Sequence, residues 1–180
     1  MMRIHRKTPG FTLLELMIAI AAFTVILVMG VPALSHTIDR NRMSTSIDGV
    51  ANALHTARAF AVSDGVDTTV CGSSTGTSCD GKWSRGWIVV ENRSGQPGTV
   101  GSGDSVVKAY PRLAHGFTLA PSFSGNGYVY YHPNGLAGWG GHLTLCGPAH
   151  SGGPLAVVVS PSGNVRESRT TGSGGALSCP

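Results

Sequence analysis

Gly10-Phe11-Thr12-Leu13-Leu14-Glu15 opens an apolar run around which the rest of this 180-residue chain is organised. Ahead of it stands a short basic leader with Arg3, His5, Arg6 and Lys7. Behind it, residues 16–34 are apolar except for Thr24, Gly30 and Pro32. At ~1.5 Å rise per residue, about 20 such residues match a hydrocarbon core of roughly 30 Å, which predicts one membrane-spanning helix over 11–34. The leader charges predict a cytoplasmic N-terminus and a C-terminal body on the other side of the membrane.

A secretory signal peptide needs a small-residue cleavage site after its apolar segment. Pro32 and the helical pattern beyond it argue against Met29-Gly30-Val31 in that role. A plain anchor leaves Glu15 unexplained, because an ionisable group at membrane depth is expensive and marks a function. The stretch from Gly10 to Glu15 resembles the class III leader of type IV pilins and type II secretion pseudopilins. The resemblance implies cleavage by a prepilin peptidase after Gly10, giving a 1–10 leader, and N-methylation of Phe11. Glu15 then falls at the fifth mature position, where the family carries its acid. There its carboxylate would meet the α-amino group of a neighbouring subunit, two costly charges offsetting one another in an apolar filament core.

Charged residues make up only 12% of the chain and glycines number 26, which suits a loop-rich, mostly β body rather than a helical bundle. The formal charge of +4 is concentrated at the N-terminus: without Arg3, Arg6 and Lys7, ten basic residues face nine acidic ones. A nucleic-acid role would therefore need a local basic cluster, since no global field supplies it. Cys71, Cys79, Cys146 and Cys179 all lie in the part expected outside the membrane, where an even count reads as two disulfides. Of three possible connectivities, the favoured one joins Cys71 to Cys79 across a Gly/Ser/Thr loop and Cys146 to Cys179 across the C-terminal tail. Zinc would need close ligand pairs such as Cys-x-x-Cys, and there are none; no cofactor or metal is expected.

Pro32 is expected to kink the helix where the membrane ends. Beyond it, Met43, Ile47, Val50, Leu54, Ala57 and Ala61 recur at spacings of four and three, one apolar stripe on an amphipathic stem over 35–63. Asp64-Gly65 ends that helix. A β-rich head over 64–180 follows, with strands expected at 66–71, 86–91, 105–110, 117–119, 128–131, 142–146 and 155–160.

A second resemblance covers most of the body. The 52–61 helix segment, Val70-Cys71, Trp83-Ser84-Arg85-Gly86-Trp87, Tyr131-His132-Pro133-Asn134-Gly135 and Gly163-Asn164-Val165-Arg166 are similar to the FimT/FimU branch of the GspH/FimT family. It implies an α+β fold of type IV pilin kind, a long kinked N-terminal helix packed on a small two-sheet antiparallel β domain. It also implies a structural filament subunit rather than an enzyme, with other pilins or pseudopilins as partners. The alternative within the family is the H-type pseudopilin of type II secretion.

In FimT-like pilins that bind DNA, the C-terminal segment reads Gly-Arg-x-Arg. Here Asn164 replaces the first arginine, so Asn164, Arg166 and Arg169 form a candidate site for double-stranded DNA short of one charge; Asn hydrogen-bonds a phosphate but releases no counterion. Lys82, Arg85, Lys108 and Arg112 would compensate only if they converge on it. Trp139, among glycines, is a candidate exposed ring for base stacking. Gly72-Ser73-Ser74-Thr75-Gly76 matches the hydrolase elbow formally, but that motif needs a strand-to-helix turn with His and an acid in reach. Asn92-Arg93-Ser94 matches the glycosylation triplet by chance.

Overall fold

The computed structural model describes residues 11–123 and 127–179, apart from the side chains of 28–33. Thr12 starts the helix: its hydroxyl accepts the Glu15 amide at 3.2 Å and its carbonyl accepts the Leu16 amide at 3.2 Å. The first satisfies a donor that a first turn otherwise leaves free, and the second is the first bond of the helical ladder. Helix α1 then runs over Leu13–Asp64. It stops at Gly65, whose φ of +69° is the left-handed conformation that follows many helix ends.

The chain divides into two compact units between Ile38 and Asp39. In the first, every described side chain from Phe11 to Leu27 is exposed, Phe11 at 81%. No helix among the described residues is long and apolar enough to cross a membrane. The described side chains of the apolar run stop at Leu27, roughly 24 Å of helical rise from Phe11 and short of a hydrocarbon core of about 30 Å. The span expected over 11–34 thus takes in side chains outside the description, that of Pro32 among them. Gly10 lies outside it altogether.

In the second unit, Met43, Ile47, Val50, Leu54, Ala57 and Ala61 are all buried, joined by Ala53, while Arg40, Ser44, Asp48, Asn52 and His55 stay exposed. The stripe packs on two antiparallel four-stranded sheets. The first holds β1 (Thr68–Gly72), β2 (Trp87–Glu91), β3 (Ser105–Tyr110) and β5 (Tyr128–Tyr131) in the order β3-β2-β1-β5. The second holds β4 (Thr118–Phe123), β6 (Gly141–Cys146), β7 (Leu155–Val159) and β8 (Val165–Ser168) in the order β4-β6-β7-β8. Side chains alternate across a strand, so Val70, Val89, Val129 and Tyr131 from one sheet and Leu143, Leu145, Val157 and Val159 from the other meet the helix in one core. Each large aliphatic side chain so buried contributes about 1.5–3 kcal/mol.

β2 is buried along its whole length because its other face is covered too. There Cys71, Ile88 and Val90 form a second apolar cluster under Cys79, Val100 and Tyr128. Cys71 is bonded to Cys79, and Cys146 to Cys179. Two strands differ from expectation. β4 runs on through Pro121 to Phe123, which an edge strand tolerates because a missing ladder donor there goes unused. β8 is an eighth strand the sequence pattern did not separate, since Val-Arg-Glu-Ser has one apolar residue and no alternation to reveal it.

Candidate functional site

The turn from β7 into β8 is set by Gly163. Its amide donates to the Ser160 carbonyl at 2.9 Å, its φ is +80°, and a Cβ there would stand 2.0 Å from the Gly135 carbonyl oxygen. Only glycine fits. Arg58 on α1 donates from Nε to that same Gly135 carbonyl at 3.0 Å, and the Ala137 amide donates to the Pro161 carbonyl at 3.1 Å. Helix, β5–β6 turn and β7–β8 turn are thereby pinned together, which fixes where β8 begins.

Along β8 the faces alternate. Val165 packs against the core, and Glu167 stands near Asp48 of α1. Burial and then the Asp48 charge push the Glu167 carboxyl above its usual range. Arg166 lies on the outer face, opposite Val158, which is itself opposite His142. His142, Val158 and Arg166 therefore form a row across three strands.

The chain after β8 returns over this outer face as a strap. It is closed by the Thr170–Ala176 bridge and tied down by the Cys146–Cys179 bond, and Gly172 comes against Val158. Between strap and sheet lies a cleft of about 440 Å³, with Arg166 and His142 on one side and Thr171 to Ser173 on the other. Among the described residues the Arg166 guanidinium makes no hydrogen bond or ion pair.

The expected trio shares one hairpin but not one function. Asn164 is exposed and uncharged, and Arg169 is committed to the Gly152 carbonyl, Nη1 to O at 3.0 Å. The other cations do not gather here. Lys82 and Arg85 flank Ser84, whose hydroxyl accepts the Leu119 amide of β4 at 3.0 Å, and β4 is separated from β8 by β6 and β7. At ~4.8 Å per strand that is about 14 Å. Lys108 belongs to the edge strand β3 of the other sheet, its ammonium 5.0 Å from the Tyr110 ring centroid.

The remaining candidates resolve as structure. Trp83 and Trp87 are buried, and the Trp83 indole donates to the Gly127 carbonyl at 2.7 Å. Trp139 is half-buried rather than free. Its indole donates to the Tyr128 carbonyl at 2.8 Å, and its ring stands edge-on to Tyr128 and Tyr130, with centroids 5.1 and 4.9 Å away. Ser74 of the formal hydrolase elbow bonds the Asp80 carboxylate and no histidine among the described residues. That bond, the largest cause, and the Lys82 amide hold Asp80 below the usual carboxylate range. Asn92 is buried, its side-chain amide spent on the Thr99 and Gln96 carbonyls at 3.0 and 3.3 Å. Among the described residues no group of three or more His, Cys, Asp or Glu could hold a metal. At the N-terminus Phe11 and Glu15 are both exposed, Glu15 in the first turn of α1.

A family model described as type II transport protein GspH matches residues 46–163, well over half of the chain. The chain belongs to the GspH family. GspH is a family of structural pilins and pseudopilins rather than of enzymes. The match starts within α1 and ends at the glycine that anchors β8. A second model, the prokaryotic N-terminal methylation motif, matches residues 5–31. The GspH fold recurs in the type IV minor pilin FimU of Pseudomonas aeruginosa strain PAO1: 16% identity, 72% of this chain and 90% of that one, TM-score 0.54. It recurs likewise in the minor pseudopilin EpsH from the type 2 secretion system of Vibrio cholerae: 12% identity, 71% and 96% coverage, TM-score 0.52. At these identities the likeness is one of fold. No curated protein matches the sequence.

Sequence reasoning did not find His142 or the strap as parts of a site with Arg166. The signal was there in part: Cys179 lies near the end of the chain, and a bond from it to β6 obliges the intervening tail to cross the sheet.

Proposed function

We propose that this GspH-family chain is a minor pilin, a structural subunit of a type IV pilus. The observation that carries the reading is the methylation motif at 5–31 on the same chain as a GspH body at 46–163. In this reading the chain sits in the bacterial inner membrane by residues 11–34, with its body in the periplasm. A prepilin peptidase cuts after Gly10, Phe11 becomes N-methylated, and the subunit is drawn into a filament with other pilins. The unbroken exposure of apolar side chains from Phe11 to Leu27 supports it, because so large an apolar surface needs a membrane or a bundle of neighbours to cover it. Glu15 then pairs with a neighbour's amino terminus, and Pro32 marks the bend where the membrane half ends.

The description of the matching family favours a second reading, the H-type pseudopilin of a type II secretion system. The resemblance to FimU and to EpsH does not separate the two. A DNA-uptake role inside the pilus reading would rest on Arg166 alone, with Asn164 uncharged and Arg169 engaged.

Mass spectrometry of the chain co-expressed with a prepilin peptidase tests the shared part: the N-terminal peptide should begin at N-methyl-Phe11. An N-terminus that stays at the leader overturns both readings. A deletion strain then divides them. Lost surface pili with intact protein secretion means a pilin, and the reverse means a pseudopilin.

A further inference from the structure

We propose that the cleft between the C-terminal strap and the second sheet is a socket for an acidic side chain of a neighbouring filament subunit. The inference rests on the filament-subunit reading and names the contact that the body makes there. Arg166 supplies the cation. Its guanidinium is free of partners among the described residues, and its planar fork matches the two oxygens of a carboxylate. His142, two strands away across Val158, supplies a ring nitrogen as second donor. Val158 gives an apolar floor for side-chain methylenes, and Gly140 and Gly141 line the cleft beside His142.

Size and charge together select the occupant. At about 440 Å³ the cleft lies within the range of small-ligand pockets, roughly 300–1,000 Å³. A side chain enters such a space, and a duplex does not. Duplex DNA is held by many phosphates, each neutralised by its own Lys or Arg. This face offers one free guanidinium, and Arg166 is the one Lys or Arg among the residues that line the cleft. One carboxylate reaching into the cleft meets Arg166, whereas an extended polyanion finds no second such cation there. In a filament a weak single contact suffices, because packing of the stems already holds the neighbour at high effective concentration.

The test is a titration of the full chain in detergent micelles, followed by the NMR signal of the Arg166 Nε–H. The probes are acetyl-Gly-Glu-Gly-amide, its Gln counterpart and a short DNA duplex. The Glu peptide should shift the signal saturably and the Gln peptide should not. Arg166→Gln, followed at the His142 ring, should weaken binding about tenfold or more, as expected on losing a hydrogen bond to a charged group. Gly172→Leu leaves Arg166 in place and pushes a side chain toward Val158, which Gly172 already approaches; it should abolish the shift. Equal responses to Glu and Gln peptides, or binding unchanged in Gly172→Leu, would overturn the socket. A salt-sensitive response to DNA with none to the Glu peptide would overturn it in favour of nucleic acid. The titration reads the cleft alone, so its failure is distinct from that of the filament reading, which an uncleaved N-terminus would reveal.

Discussion

Both sheets carry a cover on the face turned away from the helix, each held by a disulfide, and a cleft adjoins each, about 330 Å³ at the first and 440 Å³ at the second; what differs is what stands beneath. On the first sheet the Cys71–Cys79 loop and Val100 close over Ile88 and Val90, and the result is a second small core. On the second sheet the Cys146–Cys179 strap passes over His142, Val158 and Arg166, and a space remains. The bond fixes where the cover lies. What stands beneath decides what the space can do: aliphatic side chains draw part of a cover down by apolar burial, whereas an imidazole and a guanidinium keep their hydration or take a ligand.

Removing each disulfide is the strongest way to sharpen that contrast. The bonds span 8 and 33 residues, and chain entropy alone assigns about 4 kcal/mol to the longer loop and about 2.5 kcal/mol to the shorter. Denaturant unfolding of the full chain should therefore show Cys146→Ala with Cys179→Ala as the larger loss. If the shorter bond proves the more valuable, packing under the first cover outweighs the loop term. Ile88→Ala should cost about 3 kcal/mol in the apolar cluster beneath the first cover, and Val158→Ala about 1 kcal/mol at the floor of the second cleft, read by the same midpoints. Equal losses would mean the two covers are packed alike. Gly138→Ala should cost about 2 kcal/mol by overpacking, since its Cβ would fall 2.0 Å from the Tyr130 ring. The Trp139 emission should shift with it, because Trp139 stacks edge-on against that ring.

The smallest effect is in pH. Burial raises the Asp104 carboxyl, but the amides of Ser94 and Gly101, the Ser94 hydroxyl and Asn92 outweigh it and hold Asp104 below its usual range. Its contribution is present above the unfolded carboxylate value and is lost as pH falls through the lower folded one. Glu167 is raised, so the sign reverses: its ionised form destabilises, and stability falls as pH rises from the ordinary glutamate value through the folded one. Urea midpoints against pH should show Asp104→Asn removing part of the acid loss. Glu167→Gln should gain as pH rises through that window and keep the gain above it, by a small amount because the group is exposed.

The helix stripe from Met43 to Ala61 was legible because spacings of three and four leave few other structures possible, and the helix end because Asp64-Gly65 stops it. β3 and β5 were legible to the residue, as short apolar runs between glycines and prolines. β8 was not, since its neighbours rather than its own composition make it a strand. Trp139 was misleading for a physical reason. Its flanking glycines suggested an open loop, but Gly138 and Gly141 are there because the Tyr130 and Phe123 rings occupy the space a Cβ would need. The arginines of the candidate site were legible as residues and not as a cluster, because convergence depends on strand order.

The Cys146–Cys179 bond also governs how this body tolerates being cut. A protease that nicks the exposed turn at Gly152-Gly153, or the strap at Gly174-Gly175, leaves both fragments on one covalent frame, with the strap still lying across its sheet. Such a molecule would run as an intact chain until reduced, and only then fall into two fragments.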